Sequence, residues 1–557
     1  HGALGDALSR VAADAESVVL HWIEAEQTSR VTQHAMRAGE AAVAALAFAR
    51  GVRLYQIALT YCPSHDQELR ATLQLALAEA LSLAGRAGDA AGLYTELAST
   101  ADAGRSFELR QRAAAEWLEA GEQERGQSEA LALLTELGIN PPRSRTALIW
   151  AIRRRSFFNW LRSDRFDPRA TASTDGRERV RVDLLFNLTL NISATDLLRS
   201  AELQTRHLEA ALDLGDPYRL SRALCIQAWF VRSAFHGGDL DGTWELVRAK
   251  ELARHSENPH ALALVALVEA VAAYLAGRYR DASKYSERAE QLLRDECRGV
   301  AFELSNAQIL GQLCRHDTGQ WLSWRARLPD LLADAKLRRD QASLTAFESR
   351  LLYWERLLSD EPEAARAQIE AVGERVEPGV FGMYGFNLLC ANTEIDLYVG
   401  DPNAHARMLR AWPFVERAHL LKARAIWPRA YSIRARAALG SAYLLPHLRK
   451  TLLAHATRDA RALASENTDR SRALTELLRA GIADIDNERE LAIQRFGQAA
   501  LACDSGHMPQ LAAAARRRQG ILLGGEEGRA MTVRAERWLR EQGAVDPGRI
   551  CAVLLGY

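Results

Sequence analysis

Short turns of one character recur along this chain at a nearly constant interval, and that interval restricts the fold more than any other feature. "HGGDL" ends at Leu240, "LAGRY" at Tyr279, "DTGQW" at Trp321, "LSDEP" at Pro362 and "YVGDP" at Pro402, giving successive gaps of 39, 42, 41 and 40 residues. "LGGEE" ends at Glu527, 125 residues beyond Pro402, which leaves room for three more units of about that size. Between turns, apolar residues return at steps of three and four. Leu264, Leu267, Val268, Val271, Tyr274 and Leu275 form one such stripe. No comparable stretch alternates with period two, and proline and glycine sit mostly at the junctions. An interval near 40 residues that holds two helices specifies a helical solenoid, because each hairpin exposes an apolar face that only a neighbouring hairpin covers. The expected fold class is all-α, an array of antiparallel helix hairpins in which each unit touches only the next.

The stretch "AFARGVRLYQIALTYCP", residues 47–63, spaces Phe48, Gly51, Tyr55, Ala58 and Pro63 as aromatic, small, aromatic, small and a terminating proline. Small residues let the two helices of a hairpin approach closely, and aromatics fill the groove between hairpins. The pattern resembles the second helix of a tetratricopeptide repeat. "GRAGDAAGLYTEL" repeats it with Gly85, Ala87, Ala90, Tyr94 and Leu97, and "GRYRDASKYSERA" with Gly277, Tyr279, Ala282 and Ala289, the second aromatic being displaced to Tyr285. This resemblance implies a right-handed superhelical solenoid, tetratricopeptide-like, with later repeats longer than the usual length.

One region breaks the pattern. Arginines occupy positions 143, 145, 153, 154, 155, 162, 165 and 169, against Asp164 and Asp167 alone, among Trp150, Phe157, Phe158 and Trp160. The expected organisation is an N-terminal array over 1–140, an arginine-rich connector over 141–180 and a longer, degenerate array over 181–557. The connector reads first as a helix with a solvated basic side. A sharper reading gives Arg153, Arg154, Arg155 and Trp160 contacts to a partner or an anion, since basic residues among aromatics grip phosphates, stack on bases or lie on anionic bilayers. In "FGMYGFNLLCANTEIDLYVG", residues 381–400, the spacing sets Asn387, Glu394 and Tyr398 on one face of a first helix. First helices line the concave side of such arrays, which makes these three candidate effector contacts, although packing and solvation also account for them.

Composition narrows the function. Lysine plus arginine equals aspartate plus glutamate, 71 against 71, so no global field draws the chain to nucleic acid or an acidic membrane. Seven cysteines, scattered and never spaced as C-x-x-C, argue against a disulfide framework or a zinc ribbon and point to a reducing cytoplasm. The pairs Cys314/His316 and Cys503/His507 lack the further ligands that a structural zinc needs. The longest apolar run, 261–276, carries Glu269 and is too short to cross a bilayer comfortably. The sequons at Asn187 and Asn191 have no secretory context. Phosphate-loop, nucleophile-elbow, H-E-x-x-H and kinase motifs are all missing, so no catalytic, cofactor-binding or metal residues are expected. The chain opens at His1 without a leader and reads as part of something longer.

Two terminal segments carry a wider resemblance. "LHWIEAEQTSRVTQHAMRAGEAAVAALAFARGVRLYQIAL", with His21, Trp22, Ala25, Ala35 and Ala38 leading to Phe48 and Tyr55, is similar to the region after the ATPase module in bacterial serine/threonine kinases that carry a STAND-type AAA ATPase. The closing stretch from "AAAARRRQGILLGGEEGRAM" to "AVLLGY", and the connector from "GINPPRSR" to "RFDPRA", resemble the same proteins. Related arrays follow ATPase modules in LuxR-type regulators and adenylate cyclases, but this chain ends without a helix-turn-helix. The resemblance implies a non-catalytic sensor and scaffold. It would bind a protein or peptide effector and control ATPase and kinase domains upstream in the same polypeptide. The alternative is nucleic-acid or anionic-surface binding through 143–169, and a third possibility is an enzyme with an unrecognised site.

Overall fold

The computed structural model describes residues 1, 15–45, 47–120, 122–140, 142, 144–163, 176–193, 196–232, 242–297, 299–337, 340–376, 381–423, 426–466 and 468–557. Arg143, Arg165, Arg169 and the turn ending at Leu240 lie outside the described residues. Among those described, every regular element is a helix and none is a strand. No described helix is long and apolar enough to cross a membrane.

Most consecutive helices pack on one another through connectors of a few residues, which forces such pairs to run antiparallel. Local chemistry fixes where helices begin. Asp216-Pro217, Asn258-Pro259 and Asp546-Pro547 each start one, with the side chain accepting from backbone N–H groups of the first turn and a proline at the position where its missing N–H costs nothing. Hairpins begin at residues 259, 301, 341, 383, 427, 469 and 509, at intervals of 40 to 44. Three of them begin between the turns at Pro402 and Glu527.

The chain divides into two compact units: 1–140 with the short pieces 298–301 and 333–342, and 141–297 with 302–332 and 343–557. The arginine-rich segment, where described, falls in the second unit. In the first, Trp22, Val31, Ala35, Tyr55, Ala58, Leu73, Leu77, Tyr94 and Leu109 form a continuous core. Gly51 lets helix Phe48–Thr60 approach Thr28–Ala44 closely. A Cβ there would stand 2.7 Å from Val43 Cγ2.

The same unit holds a buried carboxylate with a pH consequence. Glu116 Oε1 accepts from the Ser82 hydroxyl at 2.5 Å, while Oε2 is sealed from solvent without a partner among the described residues. Burial pushes the Glu116 carboxyl up from 4.5 to about 7, against the pull of Ser82 and of the Arg112 charge. Between those two values the folded state holds more protons than the unfolded one, so stability falls as pH rises through this window. We expect Glu116→Gln to match the parent chain at pH 4 and to exceed it at pH 8 by on the order of 1–3 kcal/mol. Denaturant titrations of the first unit's transition at the two pH values check this.

The second unit departs from a serial array. Its last helix, Pro547–Leu555, packs against Met383–Val399, Trp427–Leu444, Asp469–Ile485 and Pro509–Leu523 as well as its sequence neighbour. Hydrogen bonds tie the late hairpins to the middle ones. Gln510 Nε2 donates to the Asp317 carbonyl at 2.5 Å, Val545 N to the Leu358 carbonyl at 2.9 Å, and Arg436 Nη1 to the Val553 carbonyl at 2.6 Å. Arg549 pairs with Asp360 at 3.0 Å, and the Tyr557 hydroxyl donates to Asp484 at 2.6 Å. The expectation that each hairpin touches only the next therefore fails here: this unit closes on itself.

Candidate functional site

Closure of the second unit leaves a pocket of about 110 Å³ whose walls come from seven hairpins and the last helix. Tyr279, His316, Asp317, Arg350, Tyr353, Trp354, Glu394, Arg429, Ser432, Arg436, Arg470 and Gln510 give it a polar lining, with Leu313, Leu351, Leu474, Met508, Leu511 and Leu554 as the apolar share. Four guanidinium groups face two carboxylates, an excess of two positive charges.

Each wall is held by a definable device. In helix Met383–Val399, Glu394 is almost fully buried and accepts three hydrogen bonds: from the Tyr353 hydroxyl at 2.5 Å, Trp354 Nε1 at 3.0 Å and Arg436 Nη2 at 3.1 Å. Three donors on one carboxylate meet most of the desolvation cost of placing a charge there. Arg429 donates to Asn387 Oδ1 at 3.0 Å. Asp317 accepts from the Tyr274 hydroxyl at 2.6 Å and lies 3.1 Å from His316 Nδ1. Burial works against the Asp317 charge, but these contacts and the nearby Arg470 charge hold its carboxyl well below the usual range. His316 sits among aromatic rings, 4.8 Å from Trp354 and 5.7 Å from Trp324 between centroids.

Against these paired groups stand unpaired ones. Arg350 and Arg470 make no hydrogen bond or ion pair with any described residue. Tyr279 Oη, His316 Nε2, Gln510 Oε1 and Arg436 Nε are buried without partners. Arg350 lies in a π-helical turn, Glu348–Leu352, inside an otherwise α-helical hairpin arm. Such turns recur at functional sites because the extra residue re-aims a side chain.

Of the residues singled out by spacing, Glu394 forms part of the pocket wall and Asn387 stands behind Arg429. Tyr398 lies elsewhere, its hydroxyl donating to Asp360 at 2.8 Å with the Arg549 guanidinium over its ring. Arg350, Arg429, Arg436, Arg470, Tyr279 and Gln510 carried no signal of their own. Only their convergence distinguishes them, and they are spread over more than two hundred residues of sequence.

The arginine-rich helix Arg145–Ser163 lies along Leu197–Leu214. Arg155 is turned inward, pairing with the fully buried Glu202 at 2.8 Å and with Glu209 at 3.3 Å. Arg162 pairs with Asp213 at 2.6 Å. Arg153 and Arg154 are exposed, Arg154 stacking over the Trp150 ring at 5.1 Å. Trp150 is 64%, Phe157 57% and Trp160 49% exposed, so the outward side of this helix is aromatic as well as basic. Arg153 and Arg155 thus have different expected responses to substitution. Arg155→Ala leaves Glu202 with Arg206 as its remaining cation and should destabilise the second unit by about 2–4 kcal/mol. Arg153→Ala should stay within about 0.5 kcal/mol of the parent. Chemical denaturation of the two variants side by side checks the difference.

The buried cysteines do not form a reactive site. Burial pushes the Cys503 thiol up to about 12 and the Cys314 thiol further still, so both pack as small apolar groups. Among the described residues no three histidine, cysteine, aspartate or glutamate side chains are placed to hold a metal ion.

Comparison of the sequence with protein-family models gives no match, and comparison with curated proteins gives none.

Proposed function

We propose that this chain is a non-catalytic regulatory region, a right-handed tetratricopeptide-like superhelix that binds an effector. In the bacterial cytoplasm it would control an ATPase and a serine/threonine kinase module upstream in the same polypeptide. The observation that carries the reading is the pocket of the second unit, walled by hairpins far apart in sequence and lined by polar groups that lack partners. An occupant there touches early and late hairpins together, so it binds the closed arrangement better than any opened one. Differential affinity of this kind lets a ligand shift a conformational equilibrium. The resemblance of the terminal segments to kinase-linked arrays supplies the output.

The test compares nucleotide hydrolysis and kinase activity of the polypeptide that carries these residues, with and without 1–557, in extract containing candidate effectors. Different basal rates, or an effector response only in the intact polypeptide, support the reading. Identical rates and identical responses reject it.

A second reading, attachment of nucleic acid or an anionic surface to 143–169, draws on the exposed Arg153, Arg154 and aromatic side chains of helix Arg145–Ser163. It requires affinity that falls steeply with salt. Absence of any retention on RNA or anionic vesicles at low salt removes it.

A further inference from the structure

The polar lining of the second unit's pocket is asymmetric in a way that defines an occupant. Glu394 and Asp317 have hydrogen-bond partners within the protein, whereas Arg350 and Arg470 make no hydrogen bond or ion pair with a described residue, Arg470 lying over the Tyr274 ring at 5.4 Å. A guanidinium in a recessed polar wall that makes no hydrogen bond leaves its forked donors unused, and an anion supplies the missing oxygens. Tyr279 is 1% exposed, and its hydroxyl lines the pocket with no hydrogen-bond partner. Arg436, anchored through Nη1 and Nη2 to Val553 and Glu394, presents its buried Nε without a partner on the same wall.

These groups come from different hairpins. Tyr279 opens helix Tyr279–Glu296, Arg350 lies in the π-helical turn, Arg436 is in Trp427–Leu444, and Arg470 begins Asp469–Ile485. Solvation of an ordinary helix face does not produce this pattern, since a solvated arginine keeps its head in bulk water. The net excess of two positive charges sets the charge of the occupant, and a volume of about 110 Å³ sets its size at a handful of non-hydrogen atoms.

We infer that this pocket binds a small dianion with clustered oxygens, such as inorganic phosphate, a compact phosphate monoester or a four-carbon dicarboxylate. Arg350 and Arg470 supply the charge, and Tyr279 and Arg436 supply further donors. The assignment rests on reading the second unit as an effector-binding array and names the chemical class of the effector. Forked guanidinium donors match both tetrahedral phosphate and planar carboxylate oxygens. The two sources are therefore separated by experiment.

The test is isothermal calorimetry with a parallel thermal-shift titration of the full chain at fixed ionic strength, using inorganic phosphate, succinate and, as a monoanion, acetate. Arg350→Gln and Arg470→Gln are suited to it, because neither side chain makes a hydrogen bond or ion pair with a described residue; Arg470→Gln also removes the guanidinium over the Tyr274 ring, so a ligand-free thermal scan accompanies it. Arg410→Gln, at an exposed position, is the control. Saturable binding and stabilisation by phosphate or succinate, lost by about 10- to 100-fold in each pocket variant and kept in the control, are expected. Which dianion binds identifies phosphate or dicarboxylate as the source.

Failure of both dianions to bind, or equal weakening in control and pocket variants, overturns the assignment. Retained effector responses of the kinase alongside such a failure would leave the regulatory reading standing with a different ligand. Dianion binding with no effect on activity would instead keep the site and reject the regulation.

Discussion

Replacing Gly440 by alanine is expected to cost the second unit about 2–4 kcal/mol, the sum of overpacking and lost hydrogen bonds. Gly440 lies in the middle of helix Trp427–Leu444, where glycine is ordinarily a poor choice. Its reason is the return of the chain's end. A Cβ at Gly440 would stand 2.3 Å from the Gly556 carbonyl oxygen and 2.8 Å from Leu397 Cδ2. Gly556, with φ +105°, is itself so close to helix Trp427–Leu444 that its own Cβ would lie 2.5 Å from the Arg436 carbonyl oxygen. A backbone oxygen cannot swing aside as a side-chain tip can, so the added methyl must move the closing segment as a whole. That movement breaks the Arg436–Val553 and Tyr557–Asp484 hydrogen bonds. Gly373→Ala is the matched control. Its Cβ would meet only Leu388 Cδ1, at 3.9 Å, and helix propensity then makes the change neutral or stabilising by up to about 1 kcal/mol. Equilibrium unfolding of both variants separates close approach from propensity.

Glu394→Ala should cost more, about 3–5 kcal/mol, because it strands the Tyr353 hydroxyl, Trp354 Nε1 and Arg436 Nη2 in a buried wall with no acceptor. Glu394→Gln keeps an acceptor oxygen but removes the charge, and should fall between the parent and alanine. The order Glu, Gln, Ala in stability, measured by denaturant midpoint, identifies a charge-assisted clamp. Equal midpoints for all three would mean that the carboxylate is solvated and contributes nothing to the wall.

The parts of this fold that were legible in the sequence are those governed by local rules. Turns at Gly277, Gly319, Asp360 and Gly400 announce themselves because residues of these types tolerate left-handed backbone, and each does adopt positive φ. The stripe from Leu264 to Leu275 is buried as its spacing requires. Closure of the second unit follows a different logic. Trp321 meets Trp538 at 6.4 Å and Gln510 reaches Asp317, contacts between segments about two hundred residues apart that no periodicity reports. A glycine such as Gly440 inside a helical run was the nearest local sign.

The candidate site was legible only in fragments. Helical spacing sets Asn387, Glu394 and Tyr398 on one face but does not say what each meets: Arg429, the Tyr353–Trp354–Arg436 clamp and Asp360 respectively. Arg350 and Arg470 could not be told from the many solvated arginines, because what marks them is the lack of a hydrogen bond or ion pair in the wall of the pocket. Arg155 shows the converse. It sits in a run of three arginines that looks like one basic patch, yet the helix turns it toward Glu202 and leaves Arg153 and Arg154 outside.

Amide hydrogen exchange on the chain truncated after Val545 tests the closed second unit most directly. In a serial array, removing the last helix exposes only its sequence neighbours, Gly525–Glu541 and Pro509–Leu523. Closure predicts that protection also drops in Met383–Val399 and Trp427–Leu444, which touch the lost helix across more than a hundred residues of sequence. Unchanged exchange in those two helices, with loss confined to residues 509–541, would contradict it.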